Sequence, residues 1–258
     1  MPPSLAAPCF IVSDAHLGAA PPEVEQTLVA FLERAGSEAK SVVLNGDMFD
    51  FWFEWRHVMP RVGFRTLAAL ADLRDAGVDV VWIAGNHDCW GGDILRSDVG
   101  VQYHVGSWRA TIGGWETLIE HGDGLREVED APYRRLRAVL RNPVATWAFR
   151  HLMHPDWATS IARRSSHTSR NMRPRDGGEG LKAVAQARLA ADHSLDLYVY
   201  GHTHAPWMER TATGAVYANP GAWMDGPSAV RVTTERVELV SMAHGPVRVL
   251  KSYATKGR

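Results

Sequence analysis

Five short clusters in this 258-residue chain combine oxygen or imidazole donors with small, turn-forming neighbours. They are Asp14-Ala15-His16, Gly46-Asp47, Gly85-Asn86-His87-Asp88, His121-Gly122-Asp123 and Gly201-His202-Thr203-His204. Carboxylate, imidazole and amide oxygen without thiolate suit Mn, Fe or Zn better than a structural thiolate zinc site. Donors two apart, as in Asp14/His16 and His202/His204, project to one side of an extended backbone, so each pair can converge on one small volume. The neighbouring glycines allow sharp turns and close backbone approach. Each cluster alone has a plain alternative, because Asp and His also form turns, and Asp88 or Asp123 could simply cap one. All five in one chain point to divalent metal binding.

Such donors need a rigid frame, and the first hundred residues supply its rhythm. The apolar runs 9–13, 41–46 and 79–85 read as buried strands, each emptying into one of the polar clusters. Between them, helical spacing of Val24, Leu28, Phe31 and Leu32 predicts a helix over 23–35 closed by Gly36, and a second helix over 64–76 closed by Gly77. This alternation predicts parallel strands with right-handed crossovers and a site at the strand ends. Residues 108–123 read as two strands around Gly113-Gly114. Residues 124–180 show no strand pattern and four prolines, and predict a helical insertion within a single domain spanning 1–258. A helix over 181–193 and a strand over 195–201 follow, and short runs from 207 to 252 predict antiparallel strands closing a second sheet.

Composition narrows the class. Twenty-eight basic against 29 acidic side chains give a net charge of −1, which argues against a protein that coats nucleic acid. Cys9 and Cys89 are too few for a disulfide scaffold. No apolar run reaches the ~20 residues of a membrane span, and the N-terminus lacks a basic region before its apolar residues. A soluble cytoplasmic protein is expected, with no nucleic-acid partner and no obligate protein partner. The insertion departs from the average: residues 124–180 hold 11 arginines, no lysine and 6 acidic residues.

The ordered motifs D-x-H, G-D, G-N-H-D, a histidine after a strand and G-H-x-H resemble the calcineurin-like metallophosphoesterase family, from residue 14 to residue 204. The resemblance implies an α/β fold, a four-layer αββα sandwich with a helical lid insertion and two metal ions, Mn first and Fe or Zn as alternatives. It implies that Asp14, His16, Asp47 and His204 hold one metal, with Asp47 bridging, and that Asn86, His121 and His202 hold the other. A single carboxylate suits the bridge, since it can offer one oxygen to each of two ions ~4 Å apart. His87 would stabilise the transition state or protonate the leaving oxygen, and Asp88 would orient it.

Within the family, SDAHLG, GDMFDFW and the insertion resemble bacterial UDP-2,3-diacylglucosamine pyrophosphatases. That implies hydrolysis of a glycolipid diphosphate to UMP and diacylglucosamine 1-phosphate, with a lid that touches sugar, phosphates and acyl chains. Another nucleotide diphosphate or a phosphodiester is the alternative substrate, because members of that group often carry Arg where this chain has His87. Asn86, Tyr133, Arg137, Arg163, Ser166 and Arg170 are the substrate-binding candidates. Leu136, Val139, Leu140, Val144, Trp147, Phe149 and Leu152 could line an acyl groove, though residues at helical spacing more often pack onto their own body. The run Phe49, Phe51, Trp52, Phe53, Trp55 reads mostly as core. A lipid substrate would also imply peripheral contact of the lid with the inner membrane.

Overall fold

The structure is a computed structural model in which residues 2–160, 176–242 and 247–255 are described. Two sheets face each other. The seven-stranded sheet contains β2 (Cys9–Val12), β3 (Ser41–Asn45), β4 (Asp79–Ala84) and β5 (Gln102–Val105) in parallel, extended by β11 (Ser228–Val232), β12 (Arg236–Ser241) and β13 (Arg248–Ala254). The six-stranded sheet runs β1 (Ser4–Leu5), β6 (Trp108–Ile112), β7 (Trp115–Ile119), β8 (Leu197–Val199), β10 (Val216–Asn219), β9 (Trp207–Arg210).

Strand alternation explains the layering. Along β4, Val80, Trp82 and Ala84 join the core under α1 (Pro22–Glu38) and α2 (Phe64–Asp75), while Val81 and Ile83 join the core between the sheets. β2 and β3 divide the same way, which is why they read as unbroken apolar runs. The helix Glu179–Ala191 covers the outer face of the other sheet through Leu181, Ala185 and Leu189. The result is the αββα order of four layers.

Two expectations need correction. Gly36 does not end α1; the helix runs through it to Glu38 and stops at extended Ala39, because helical backbone needs no positive φ at that position and nothing there breaks the hydrogen bonding. The strands after residue 207 do not all close the second sheet. β9 and β10 extend the six-stranded sheet, with β10 parallel to β8, and β11–β13 extend the seven-stranded sheet through antiparallel pairing of β11 with β2. Each sheet had an unpaired edge to cover.

Within 124–180, the described residues contain α3 (Ala131–Leu140), α4 (Pro143–Leu152) and a helical turn at 155–160, with no strand. Asn142 caps α4, its side chain accepting from Val144 N and Ala145 N, and Pro143 needs no partner for its missing N–H. These helices dock on the body through Phe149 and Met153, which pack with Phe53, Trp55 and Ala158. The Phe53 and Phe149 ring centroids are 4.8 Å apart. Phe49 and Trp52 belong to the main core, as expected, whereas Phe53 and Trp55 seat the insertion. Self-packing fails for most of the insertion's apolar residues: Leu136, Val139, Leu140, Val144, Trp147 and Leu152 are 40–74 % exposed.

Candidate metal centre

The polar clusters meet at the ends of strands from both sheets. Asp14 and His16 follow β2, Asp47 follows β3, and Asn86 and His87 follow β4. His121 follows β7, and His202 and His204 follow β8 from the opposite sheet. Three donor groups result, each with ligand atoms within 4.8 Å of one another: Asp14/His16/His204, His16/Asp47/His87 and Asp47/His121/His202. Asp47 lies at the centre. Its Oδ2 is 3.2 Å from His121 Nε2, 3.9 Å from His16 Nε2 and 4.0 Å from His87 Nε2, while its Oδ1 accepts from His87 N at 2.9 Å.

The backbone here is not extended. Asp14, His16, Asp47, His202 and His204 all have positive φ, between 44° and 66°, a region that non-glycine residues seldom occupy. The i, i+2 convergence thus comes from left-handed turns and not from strand alternation. Such turns persist only where surrounding contacts over-determine them, and they gather at functional sites. At Asp14 the contacts are visible: its N–H donates to Gly46 O, and its Oδ2 accepts from His202 N and Ser13 Oγ. Glycine is required at two neighbouring points. A Cβ on Gly85 would overlap the Asp47 carboxylate, and one on Gly46, at φ +78°, would overlap the His121 ring.

Tautomers follow from partners. A backbone carbonyl can only accept, so His121 Nδ1 donates to Asn45 O at 2.8 Å and His87 Nδ1 donates to Asp50 O at 2.8 Å. His204 Nδ1 meets Asp225 Oδ2 at 3.1 Å. Each of these rings therefore turns Nε2 toward the cluster, the arrangement used by metal-ligating imidazoles. Asp225 carried no motif and was missed in the sequence, and only its place after β10 brings it here. Asp225→Asn is expected to weaken metal affinity ~10–100-fold in a metal titration; unchanged affinity would contradict this role.

Electrostatics agree with a cation site. Buried Asn86 Oδ1 has no hydrogen-bond partner, a costly state that a bound cation would relieve. Burial would raise Asp47, but His121 and His87 hold it well below the usual carboxylate range. Burial opposes a proton on His121, yet the Asp47 charge holds its pKa well above the ordinary histidine value, so a cation entering there competes with a proton. Burial pushes His16 down to about 3 from an ordinary 6.5. Between those values the unfolded chain binds a proton that the folded chain refuses, so metal-free protein loses stability as pH falls through that window. Asp14, raised by burial but held down at about 2 chiefly by His204, adds a loss below the ordinary carboxylate range. Asp88, pushed up to about 6 by burial and then the Asp47 charge, works the other way down to the ordinary carboxylate range. The thermal midpoint of metal-free protein should therefore fall most steeply below pH 4, where Asp14 and Asp47 take up protons; a flat profile there would refute this.

Asp88 does not orient His87. Its carboxylate accepts from Gly85 N at 2.7 Å, Met48 N at 2.9 Å and Trp82 Nε1 at 3.2 Å. It ties two donor-bearing loops together, and the His87 ring is oriented by the Asp50 carbonyl instead. Asp123 is more than a turn cap: its Oδ2 accepts from Tyr133 Oη at 2.7 Å and lies 3.3 Å from Arg137 Nη1. Tyr133 and Arg137 are thus held beside the donor cluster, while Arg163, Ser166 and Arg170 lie outside the described residues. Burial pushes both thiols, Cys9 and Cys89, up to about 12.

An αββα sandwich whose strand ends gather seven Asp, Asn and His donors defines a metal-dependent phosphoesterase. The chain belongs to the calcineurin-like phosphoesterase family, whose model matches residues 7–206. It is 34% identical over 221 residues to the UDP-2,3-diacylglucosamine hydrolase of Porphyromonas gingivalis, covering 76% of this chain and 82% of that one. It is 26% identical over 246 residues to the Edwardsiella ictaluri protein of the same name, covering 92% and 93%. Among solved structures, a single mutant of Vps29 from Entamoeba histolytica shares the fold, with TM-score 0.51 and 14% identity over 96% of this chain and 99% of that one.

Proposed function

We propose that this enzyme hydrolyses UDP-2,3-diacylglucosamine to UMP and 2,3-diacylglucosamine 1-phosphate. The observation that carries the reading is its 34% identity to a UDP-2,3-diacylglucosamine hydrolase along 82% of that protein's length. Asp14, His16, Asp47 and His204 would hold one divalent ion and Asp47, Asn86, His121 and His202 a second, with Mn favoured over Fe or Zn. Bound there, the ions supply Lewis-acid stabilisation of the phosphoryl oxygens and a nucleophile at neutral pH. His87, presenting Nε2, donates a proton to the leaving oxygen. Asn86, Tyr133 and Arg137 contact the phosphates and sugar, and Arg163, Ser166 and Arg170 are the remaining substrate candidates. Residues 124–180 act as a lid within one domain.

Metal-stripped enzyme resupplied with Mn²⁺ should release UMP from this lipid far faster than from UDP-glucose. Cleavage of bis-p-nitrophenyl phosphate without the lipid would move the assignment to another phosphodiester or nucleotide diphosphate.

The exposed apolar residues of α3 and α4, interleaved with arginines, suit a cytoplasmic enzyme that touches the inner-membrane surface to collect a lipid. No described helix is long and apolar enough to cross a membrane. Co-flotation with anionic liposomes, weakened by Val144→Asp with Leu152→Asp, is expected; protein that stays off such liposomes would count against lid docking.

A further inference from the structure

We infer that Arg141 is a diphosphate-binding residue, positioned by Asp123 to hold the phosphate next to the one attacked. The inference rests on the reading of this site as a diphosphate hydrolase.

Tyr133, Arg137 and Arg141 stand four residues apart along and just beyond α3, and therefore on one face of the helix. All three converge on one oxygen, Asp123 Oδ2, with Arg141 Nη2 at 3.5 Å. Two guanidinium groups thus share one carboxylate, leaving one positive charge uncompensated by Asp123. The Arg141 side chain is only 24 % exposed, and its buried Nε has no hydrogen-bond partner. Its other contacts are a long one, Nη2 to Gly85 O at 3.4 Å, and the weakly accepting thiol of Cys89. A guanidinium carries five donors in a planar fork, and burying it so incompletely satisfied is unfavourable unless an anion completes it.

Position identifies the anion. Gly85 immediately precedes Asn86, and Asp123 lies two residues past His121, so Arg141 reaches between two donor-bearing motifs. It does so from the insertion, immediately after α3. A bidentate fork matches phosphate oxygens, and a substrate with two linked phosphates would present the second one here while the first lies at the metal centre. A monophosphate diester has nothing to place against it.

The test compares Arg141→Ala, Arg141→Lys and, as a charge-matched control on an exposed position of α3, Arg135→Ala. With Mn²⁺ present, kcat/KM is measured on UDP-2,3-diacylglucosamine and on bis-p-nitrophenyl phosphate. Inhibition of diester cleavage by hydrolysis-resistant α,β-methylene-UDP is measured alongside. The expected result is a fall of roughly 50-fold in the lipid-to-diester ratio for Arg141→Ala, partly rescued by lysine, and a change below about twofold for Arg135→Ala. The inhibition constant should rise about tenfold or more in Arg141→Ala. Parallel losses on both substrates with an unchanged inhibition constant would make Arg141 a structural latch and overturn the inference. If wild-type enzyme ignores the lipid, the proposed substrate fails and the inhibition arm alone decides. Wild-type enzyme that methylene-UDP does not inhibit also overturns the inference.

Discussion

Asp47→Ala is expected to abolish metal-dependent hydrolysis, with a fall of at least ~10³-fold, and to lower bound metal measured on purified protein. Asp47 is the one carboxylate shared by two of the three clusters, with His121/His202 on one side and His16/His87 on the other. Its removal leaves three imidazole Nε2 atoms facing one another with no anion between them, so neither ion keeps its ligand set. Alanine also cannot accept from His87 N, a bond of 2.9 Å that couples the third donor loop to the second. Asp47→Asn isolates the charge, since an amide oxygen can still accept there. An active Asp47→Ala enzyme with full metal content would sink the dinuclear account.

His87→Ala should behave differently, keeping metal while losing rate by ~10²–10⁴-fold. The Asp50 carbonyl fixes the ring through Nδ1, leaving Nε2 4.0 Å from Asp47 Oδ2. A proton donor matters most when the leaving group is basic. The loss should therefore be large on an alkyl phosphodiester, which expels a basic alkoxide, and small on bis-p-nitrophenyl phosphate, whose leaving group needs little help. The same geometry lets His87 join His16 and Asp47 around a cation. Equal losses on both substrates together with lowered metal content would make it a ligand and not an acid.

The strands that carry the donors were legible because β2, β3 and β4 are buried on both faces and so announce themselves as continuous apolar runs. The donor identities were legible because Asp, Asn and His at strand ends have few other reasons to recur. What stayed hidden depends on the path of the chain in space. Nothing local marks Asp14, His16 and Asp47 as left-handed, because the contacts that force them there come from Gly46, His202 and His87. Asp88 looked like a partner of its neighbour His87, but the turn directs its carboxylate back to Gly85, Met48 and Trp82. Asp225 lies 21 residues from His204, beyond any motif window. Helical spacing in α3 and α4 fits self-packing as well as an acyl groove, and among the described residues it is the part around Phe149 that finds a surface to cover.

The division of donors between the sheets has a consequence for the protein's lifetime in the cell. Asp14, His16, Asp47 and Asn86 follow strands of one sheet, and His121, His202 and His204 strands of the other, so ions held by the proposed ligand set would rivet the two halves across their shared core. Metal supply would then set how long the molecule survives as well as how fast it works. Free ion at a thousand times its dissociation constant adds about 4 kcal/mol to folding. A cell starved of that ion would hold enzyme that is both silent and more readily opened to proteolysis, and its abundance would follow metal availability without any change in synthesis.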